Sequence, residues 1–116
     1  MKILRVDTDA TSSGTSLQGH FSASYDELVK VFGEPTKYEE TGGYDKVWTE
    51  WNLEFEVQDE DDPDDFYYVT ATIYDWKESS PYDSRSGQYR WHIGGNGWEA
   101  EDAVGTYFNQ MVEEVA

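Results

Sequence analysis

Carboxylates are the side chains whose number and spacing point most clearly to a chemical role. Asp and Glu number 25 against 8 Lys and Arg, which gives a formal net charge of −17. From Gln58 to Asp65, six of the eight residues are acidic and none is basic. Glu50, Glu54 and Glu56 precede this run at even-numbered positions, and residues two apart on a strand share one face at a spacing of about 6.6 Å. The pattern predicts a row of negative charge suited to a cationic partner.

The sequence contains little that indicates a catalytic function. His20 and His92 are the two histidines, and neither stands in a metal-binding spacing such as H-E-x-x-H. The chain has no cysteine, which excludes disulfides and thiolate metal sites, and no G-x-S-x-G nucleophile elbow. A Ser/His/Asp assembly stays open, since its members need not be adjacent in sequence. His92 alternates with Trp91 and Ile93, which favours a place on the outer face of a strand. We expect no enzyme activity, no cofactor and no metal.

Two other stretches have both a functional and a structural interpretation. The stretch Gly94-Gly95-Asn96-Gly97 could hold a phosphate with its backbone N–H groups, but it lacks the Lys of a Walker loop and the G-x-G-x-x-G spacing. We interpret it as a turn between a strand and a helix. The acidic run lacks the central Gly of an EF-hand loop and contains Pro63, so no dedicated calcium site is predicted. Weak binding of divalent cations by this run remains open.

The net charge also limits the partners. Nucleic acids and anionic membranes are polyanions, so direct binding to either is disfavoured. No apolar run has the length of a membrane span, and residues 1–7 lack the apolar segment of a signal peptide. We therefore expect a soluble, cytoplasmic protein. A basic protein partner, divalent cations or a saline environment remain as reasons for the charge.

Two predicted strands flank the acidic run. Residues 46–57 alternate between apolar and polar side chains throughout, which is typical of a half-buried antiparallel strand. Residues 66–76 are rich in β-branched and aromatic residues and predict a second strand, so the acidic run becomes the loop of a β-hairpin. On the polar face of this hairpin, the acidic row is accompanied by aromatic side chains, namely Trp48, Tyr68, Tyr74 and Trp76.

The remaining elements complete the predicted fold. Residues 24–33 predict a helix, with Ser22 or Ser24 as its N-cap and Gly33 as its end. A second helix is predicted from about Glu99 to Val115, and short strands at 2–6 and 89–93, with 17–22 as a strand or an extended connection. The expected fold is α+β: a single antiparallel sheet of three to five strands with two helices on one face, in the order β(β)αβββα. We expect one domain over residues 1–116, with flexible loops at about 8–16, 58–65 and 77–88.

Aromatic residues and turn glycines recur in five stretches over roughly residues 17–95, namely Leu17-Gln18-Gly19, Phe32-Gly33-Glu34-Pro35, Trp51-x-Leu53-x-Phe55, Ile73-Tyr74-Asp75-Trp76 and Trp91-His92-Ile93-Gly94-Gly95. This pattern resembles a family of small uncharacterised acidic proteins of bacteriophages and prophages. It implies a phage accessory protein in the cytoplasm of the host cell and supplies no catalytic residues. In charge alone, a small acidic phage protein also resembles the DNA-mimic inhibitors of restriction, repair and CRISPR enzymes.

These observations lead to one functional hypothesis. We predict a non-enzymatic inhibitor whose acidic surface binds the basic, nucleic-acid-binding surface of a host protein. Aromatic residues are enriched where proteins dock, which separates this pattern from a merely solvated acidic surface. The predicted partner-binding residues are Glu50, Glu54, Glu56, Asp59, Glu60, Asp61, Asp62, Asp64, Asp65, Trp48, Tyr68 and Tyr74. The alternatives are a small acidic phage structural or assembly protein and a halophile-type acidic domain. The target and the oligomeric state stay open.

Overall fold

The structure is a computed structural model that describes residues 1–10, 14–39 and 46–115, with side chains up to Val112. Residues 11–13 of the first predicted loop lie outside the described residues. Six strands are formed in the described ranges: β1 (Lys2–Asp7), β2 (Ser16–Ser24), β3 (Lys37–Tyr38), β4 (Thr49–Gln58), β5 (Phe66–Tyr74) and β6 (Gln88–Gly95). Three helices accompany them: α1 (Tyr25–Phe32), α2 (Tyr82–Arg85) and α3 (Glu99–Val115).

All six strands belong to one antiparallel sheet. Its order is β1-β4-β5-β6-β2, and β3 pairs with the beginning of β4 beside the end of β1. The two longest neighbours, β4 and β5, pair over their whole length from Glu50 opposite Tyr74 to Gln58 opposite Phe66. The acidic run is therefore the loop of a hairpin, as predicted. β4 and β5 form the centre of the sheet, and β1 and β2 are distant from each other at its two sides.

The predicted fold class is wrong. We expected an α+β domain with three to five strands and two helices, whereas the described residues form a mostly-sheet domain of six strands and three short helices. The two-residue strand β3 has no alternating pattern of its own and exists because its backbone pairs with β4. The one-turn helix α2 lies in the stretch predicted as a polar loop, and a buried hydrogen-bond network holds it there. Both elements depend on contacts distant in sequence.

The hydrophobic core lies between one face of the sheet and two of the helices. On β4 the buried positions alternate strictly with half-buried ones, so the predicted alternation is confirmed from Thr49 to Val57. Trp51 of β4 and Trp91 of β6 are fully buried and meet edge to face, 5.4 Å between ring centroids. The ring of Phe32 in α1 packs against that of Phe55, with 6.3 Å between ring centroids. The ring of Phe108 in α3 packs against that of Phe21 in β2, with 4.9 Å between ring centroids. Helices α1 and α3 thus cover the same face.

Glycines at the end of β6 permit close approach of the neighbouring elements. We expected Gly94 and Gly95 to lie in a turn, and this is wrong, because both belong to β6 and pair with β2 and β5. A Cβ atom on Gly95 would collide with Cβ of Ala100 in α3, and one on Gly94 would collide with Oγ1 of Thr72. Helix α3 can therefore pack directly on the strand. No helix in the described ranges is long and apolar enough to cross a membrane.

Helix α1 begins at Ser24 through a capping box. The Ser24 hydroxyl accepts a hydrogen bond from the Glu27 backbone N–H (3.1 Å), and the Glu27 carboxylate accepts one from the Ser24 N–H (2.9 Å). The bond from the Ser24 backbone, with a second one from the Gln88 side chain, lowers the pKa of Glu27 below its usual value of 4.5. Because the folded-state pKa is the lower one, this stabilisation is present above about pH 4.5 and is lost as the pH falls through the folded-state value.

We expect Ser24→Ala to lower the free energy of unfolding by about 1 kcal/mol, because the N-terminal N–H groups of α1 lose their acceptor. Urea denaturation at pH 7 measures this loss. Ser22→Ala is the matched control, since Ser22 was the alternative cap in the sequence and is exposed on β2. The control is expected to change stability by less than about 0.5 kcal/mol. Equal effects of the two substitutions would contradict the assignment of the cap.

A buried polar network joins α2 to the sheet. Asp75 is fully buried just after β5, and its Oδ1 accepts hydrogen bonds from the backbone N–H groups of Trp48 (2.8 Å) and Thr49 (3.0 Å). Its Oδ2 accepts one from the Ser84 hydroxyl of α2 (2.9 Å). Arg85 continues the network by donating to Thr49 Oγ1 (2.8 Å). No role for Asp75 was predicted from the sequence, since nothing local marks it as buried.

The candidate partner-binding face

The predicted acidic row lies on the outer face, by which we mean the sheet face opposite α1 and α3. We keep the name acidic row for Glu50, Glu54 and Glu56, which occupy the half-buried positions of β4 between its fully buried ones. Across the strand pair they face Tyr74, Thr70 and Tyr68 of β5, respectively. The alternation of β4 therefore places these three carboxylates on one side, as the sequence pattern required.

Strand β1 adds charges to this row that the sequence analysis did not place. Asp7 stands opposite Glu54 and adds a fourth carboxylate. Arg5 stands opposite Glu56, and its Nε lies 3.6 Å from Glu56 Oε2. The Arg5 side chain is 73% exposed, so this ion pair contributes little to stability, but it neutralises part of the charge at that position. The pairing of β1 with β4 spans about fifty residues of sequence, which is why no local pattern revealed it.

The acidic loop, residues 59–65, is held by hydrogen bonds to its own carboxylates. Asp59 Oδ1 accepts from the Asp61 N–H (2.9 Å), and Asp62 Oδ1 accepts from the Asp64 N–H (3.1 Å). Asp65 Oδ1 accepts from the next N–H along the chain (3.1 Å). These contacts are typical of Asp in turns. Three of the six loop acids, Asp59, Asp62 and Asp65, therefore hold the loop backbone through Oδ1, and their Oδ2 atoms take no part in these bonds.

The other acids of the loop have different surroundings. Asp61 and Asp64 are exposed at the tip of the hairpin. Glu60 accepts a hydrogen bond from the N-terminal amine of Met1, at 2.7 Å. The loop follows β4 directly after Gln58, so its acids continue the acidic row along the chain, and Asp59 and Glu60 also reach the helix side of the hairpin. The charge of Glu60 is partly balanced by the amine.

The three predicted aromatic residues differ in accessibility. Tyr68 is 61% exposed and stands opposite Glu56. Tyr74 is half-buried and stacks on His92, 5.5 Å between ring centroids. Trp48 is half-buried, and its indole N–H donates to the carbonyl of Glu78 (2.9 Å). Tyr68 therefore offers the largest contact surface of the three, and Trp48 and Tyr74 are engaged in packing within the protein.

The opposite end of the outer face carries imidazoles and cations. His20 of β2 lies directly opposite His92 of β6, with ring centroids 4.7 Å apart. Trp76 lies 6.4 Å from the His92 ring, and the ammonium groups of Lys46 and Lys77 lie 5.7 and 5.9 Å from the Trp76 ring. Alternation along the strand predicted His92 on this face, whereas no local pattern predicted His20 there, because the pairing of β2 with β6 is not local. The outer face is thus acidic towards the hairpin and carries cations at the other end.

Burial shifts two ionisable groups of this cluster. It lowers the pKa of His92, and the neighbouring His20 and Arg90 lower it further, so the neutral imidazole is favoured. Burial also raises the pKa of the Tyr74 phenol, and the nearby Glu50 carboxylate raises it further. Within the described residues, no group of three or more His, Cys, Asp or Glu side chains is arranged to hold a metal ion. Neither shift creates an evident general acid or base.

A cleft of about 350 Å³ lies on the helix side of the hairpin base. The acids Asp59, Glu60 and Asp102 line it together with the aromatic rings of Tyr67 and Trp98. Trp98 is 69% exposed. Carboxylates and exposed aromatic rings therefore extend from the acidic loop around the base of the hairpin towards the beginning of α3, beyond the residues that the sequence analysis selected.

Comparisons with known proteins give no identity for the chain. No protein-family model, no curated protein and no solved structure matches it. The resemblance to phage proteins therefore stays a prediction from the motifs.

Proposed function

We propose that this chain is a non-enzymatic binding protein whose acidic row and acidic loop bind the basic surface that another protein uses to hold nucleic acid. The observation that carries the proposal is the continuity of the two features. The outer carboxylates of β4 run into the loop without an intervening element, and Asp7 stands beside them on β1. A charged surface of this kind steers a basic partner and determines its orientation.

The length of the charged surface supports a comparison with nucleic acid. From Glu50 to Asp59 the chain extends nine residues, about 30 Å at the usual strand rise of ~3.3 Å. One helical turn of duplex DNA is about 34 Å long. The carboxylates are sparser than the phosphates of a duplex, which carries one charge per ~1.7 Å. We therefore expect the carboxylates to replace the contacts that the partner makes with the phosphates of one DNA strand, rather than its contacts with both strands of a duplex.

The exposed ring of Tyr68 supports docking beyond simple charge attraction. It lies next to Glu56 on the outer face, and exposed Tyr residues beside charged groups are frequent anchors of protein interfaces. The motif resemblance suggests a bacteriophage setting. In that setting the partner is a host defence, restriction, CRISPR or repair protein, and binding of this chain inhibits it.

The test compares two triple variants of equal net charge. Glu50→Gln, Glu54→Gln and Glu56→Gln together neutralise the acidic row, while Asp26→Asn, Glu34→Gln and Glu101→Gln neutralise three exposed acids on or next to helices α1 and α3. Immobilised wild-type chain is used to capture proteins from bacterial lysate, and mass spectrometry identifies them. We expect to capture a protein that binds duplex DNA. Added duplex DNA should displace that protein from the immobilised chain.

The row variant is expected to bind this protein at least about tenfold more weakly, a loss of about 1.4 kcal/mol, and the helix variant to change affinity by less than about threefold. Affinity of the wild-type chain should also fall as salt rises, because charge attraction is screened beyond about 8 Å at physiological ionic strength. Equal losses in both variants would show that bulk charge, not the row, mediates binding. Salt-independent affinity would contradict the proposal altogether.

A further inference from the structure

The two histidines of the chain come together at the cationic end of the outer face. His20 and His92 are separated by more than seventy residues in sequence but are direct cross-strand neighbours on β2 and β6. Their ring centroids are 4.7 Å apart, with an angle of 61° between the ring planes. Both side chains are half-buried, so solvent still reaches the pair. Adjacent imidazoles on one sheet face are a recurrent way of binding a metal ion, because imidazole is the commonest metal ligand in proteins.

One nitrogen of this pair has no hydrogen-bond partner among the residues that the structure describes. Nδ1 of His92 is buried and forms no hydrogen bond with any other group of the structure. Tyr74 stacks on the His92 ring, 5.5 Å between ring centroids, and the centroid of the Trp76 ring lies 6.4 Å away. A buried polar atom without a partner costs free energy, because it has lost its hydrogen bonds to water. A ligand that accepts the lone pair of an imidazole nitrogen would remove that cost.

An uncharged imidazole has one nitrogen with a free lone pair, and that nitrogen is the atom that binds a metal ion. We propose that His20 and His92 form a two-histidine site for a late first-row transition-metal dication such as Zn²⁺, Ni²⁺ or Cu²⁺.

The separation of the rings fits one shared ion. An imidazole nitrogen binds Zn²⁺ at about 2.0–2.1 Å, and the ring centroid lies roughly 1.1 Å behind that nitrogen. Two such ligands at an angle of roughly 90–110° have centroids about 4.5–5.3 Å apart. The observed 4.7 Å lies within this range. The remaining coordination positions go to water, since the described residues contain no cluster of three ligands.

The many carboxylates of the chain are a competing location for a cation, and ligand chemistry separates the two. Carboxylate oxygens suit Mg²⁺ and Ca²⁺, whereas imidazole suits Zn²⁺, Ni²⁺ and Cu²⁺. Divalent-ion binding in the acidic loop should therefore respond to Mg²⁺ and be independent of the histidines. Binding at the pair should respond to Zn²⁺ and require both of them.

The experiment titrates the full chain with ZnCl2 and follows the imidazole proton signals by NMR, with isothermal titration calorimetry for stoichiometry. We expect both histidines to shift together and saturate at one ion per chain, and MgCl2 to leave their signals unchanged. His20→Gln and His92→Gln are each expected to weaken binding of Zn²⁺ at least tenfold. Asp61→Asn with Asp64→Asn, at the loop tip, should leave it unchanged.

Circular dichroism establishes that each variant is folded, and His20→Gln serves as the decisive variant if His92→Gln disturbs the aromatic packing. Saturable binding of Zn²⁺ that survives His20→Gln would overturn the proposal. Equal imidazole shifts with MgCl2 would also overturn it, because they would place the ion among carboxylates. The site does not depend on the proposed binding of a basic partner, so failure of either proposal leaves the other unaffected.

Discussion

Replacement of Trp91 by Ala is expected to lower the free energy of unfolding by about 3–5 kcal/mol, the largest loss that we predict for a single core position. The Trp91 side chain is fully buried and packs edge to face against Trp51 at 5.4 Å and Tyr89 at 4.9 Å. Its indole N–H donates to the carbonyl of Ala23 at 3.0 Å. The substitution removes the ring from the buried face of the sheet and leaves a cavity that strands fixed by ladder hydrogen bonds cannot close.

The matched control is Trp98→Ala, which removes the same side chain from an exposed position. Trp98 is 69% exposed at the beginning of α3, and its loss should change stability by less than about 0.5 kcal/mol. Urea denaturation followed by far-ultraviolet circular dichroism measures both variants without relying on Trp fluorescence. Comparable losses in the two variants would mean that the sheet face under α1 and α3 is not the main source of stability.

The second large effect is expected for Asp75→Ala, at about 3 kcal/mol or more. This substitution leaves two backbone N–H groups without their acceptor at a fully buried carboxylate, and the Ser84 hydroxyl keeps only a longer hydrogen bond to the carbonyl of Pro81 (3.4 Å). Each unsatisfied buried group costs about 1–3 kcal/mol, and the losses are coupled because one carboxylate serves all three. We also expect α2 to separate from the sheet, since Ser84 is its buried contact with Asp75.

Two further variants distinguish this network from a general effect of charge. Asp75→Asn keeps an acceptor oxygen for the two N–H groups, and we expect it to recover part of the lost stability. Asp64→Ala removes an exposed acid of the loop tip and should be nearly neutral, within about 0.5 kcal/mol. Urea denaturation ranks the three variants, and hydrogen exchange at the Trp48 and Thr49 amides reports the network directly. A neutral Asp75→Ala would show that these amides have other acceptors.

The sequence was most informative where the pattern of residues depends on a single strand or helix. The alternation along β4 placed Trp51, Leu53 and Phe55 in the core and the acidic row on the other face, because a strand has a period of two. Helix α1 was evident for the same reason, since its cap at Ser24 and its end at Gly33 act within one or two turns. The hairpin loop followed from its position between two such strands.

The sequence was least informative where a residue acquires its role from a distant partner. Asp75 is one of 25 acids and nothing beside it in the chain distinguishes it, yet folding buries it as the acceptor for α2. The strand β3 and the pairing of Arg5 with Glu56 were missed for the same reason. The glycines of β6 resembled a turn, because only the packed helix α3 shows that a Cβ atom there would collide with Ala100.

The sequence by itself therefore determined a strongly acidic hairpin with its carboxylates on one face, since charge and period are local properties. Only the tertiary structure decided what surrounds that face. It placed Asp7 and Arg5 beside the acidic row, buried Asp75 among amides and brought His20 against His92 at the other end. These neighbours come from strands far apart in the chain, and the order in which strands pair is set by burial of the whole core, which no single segment encodes.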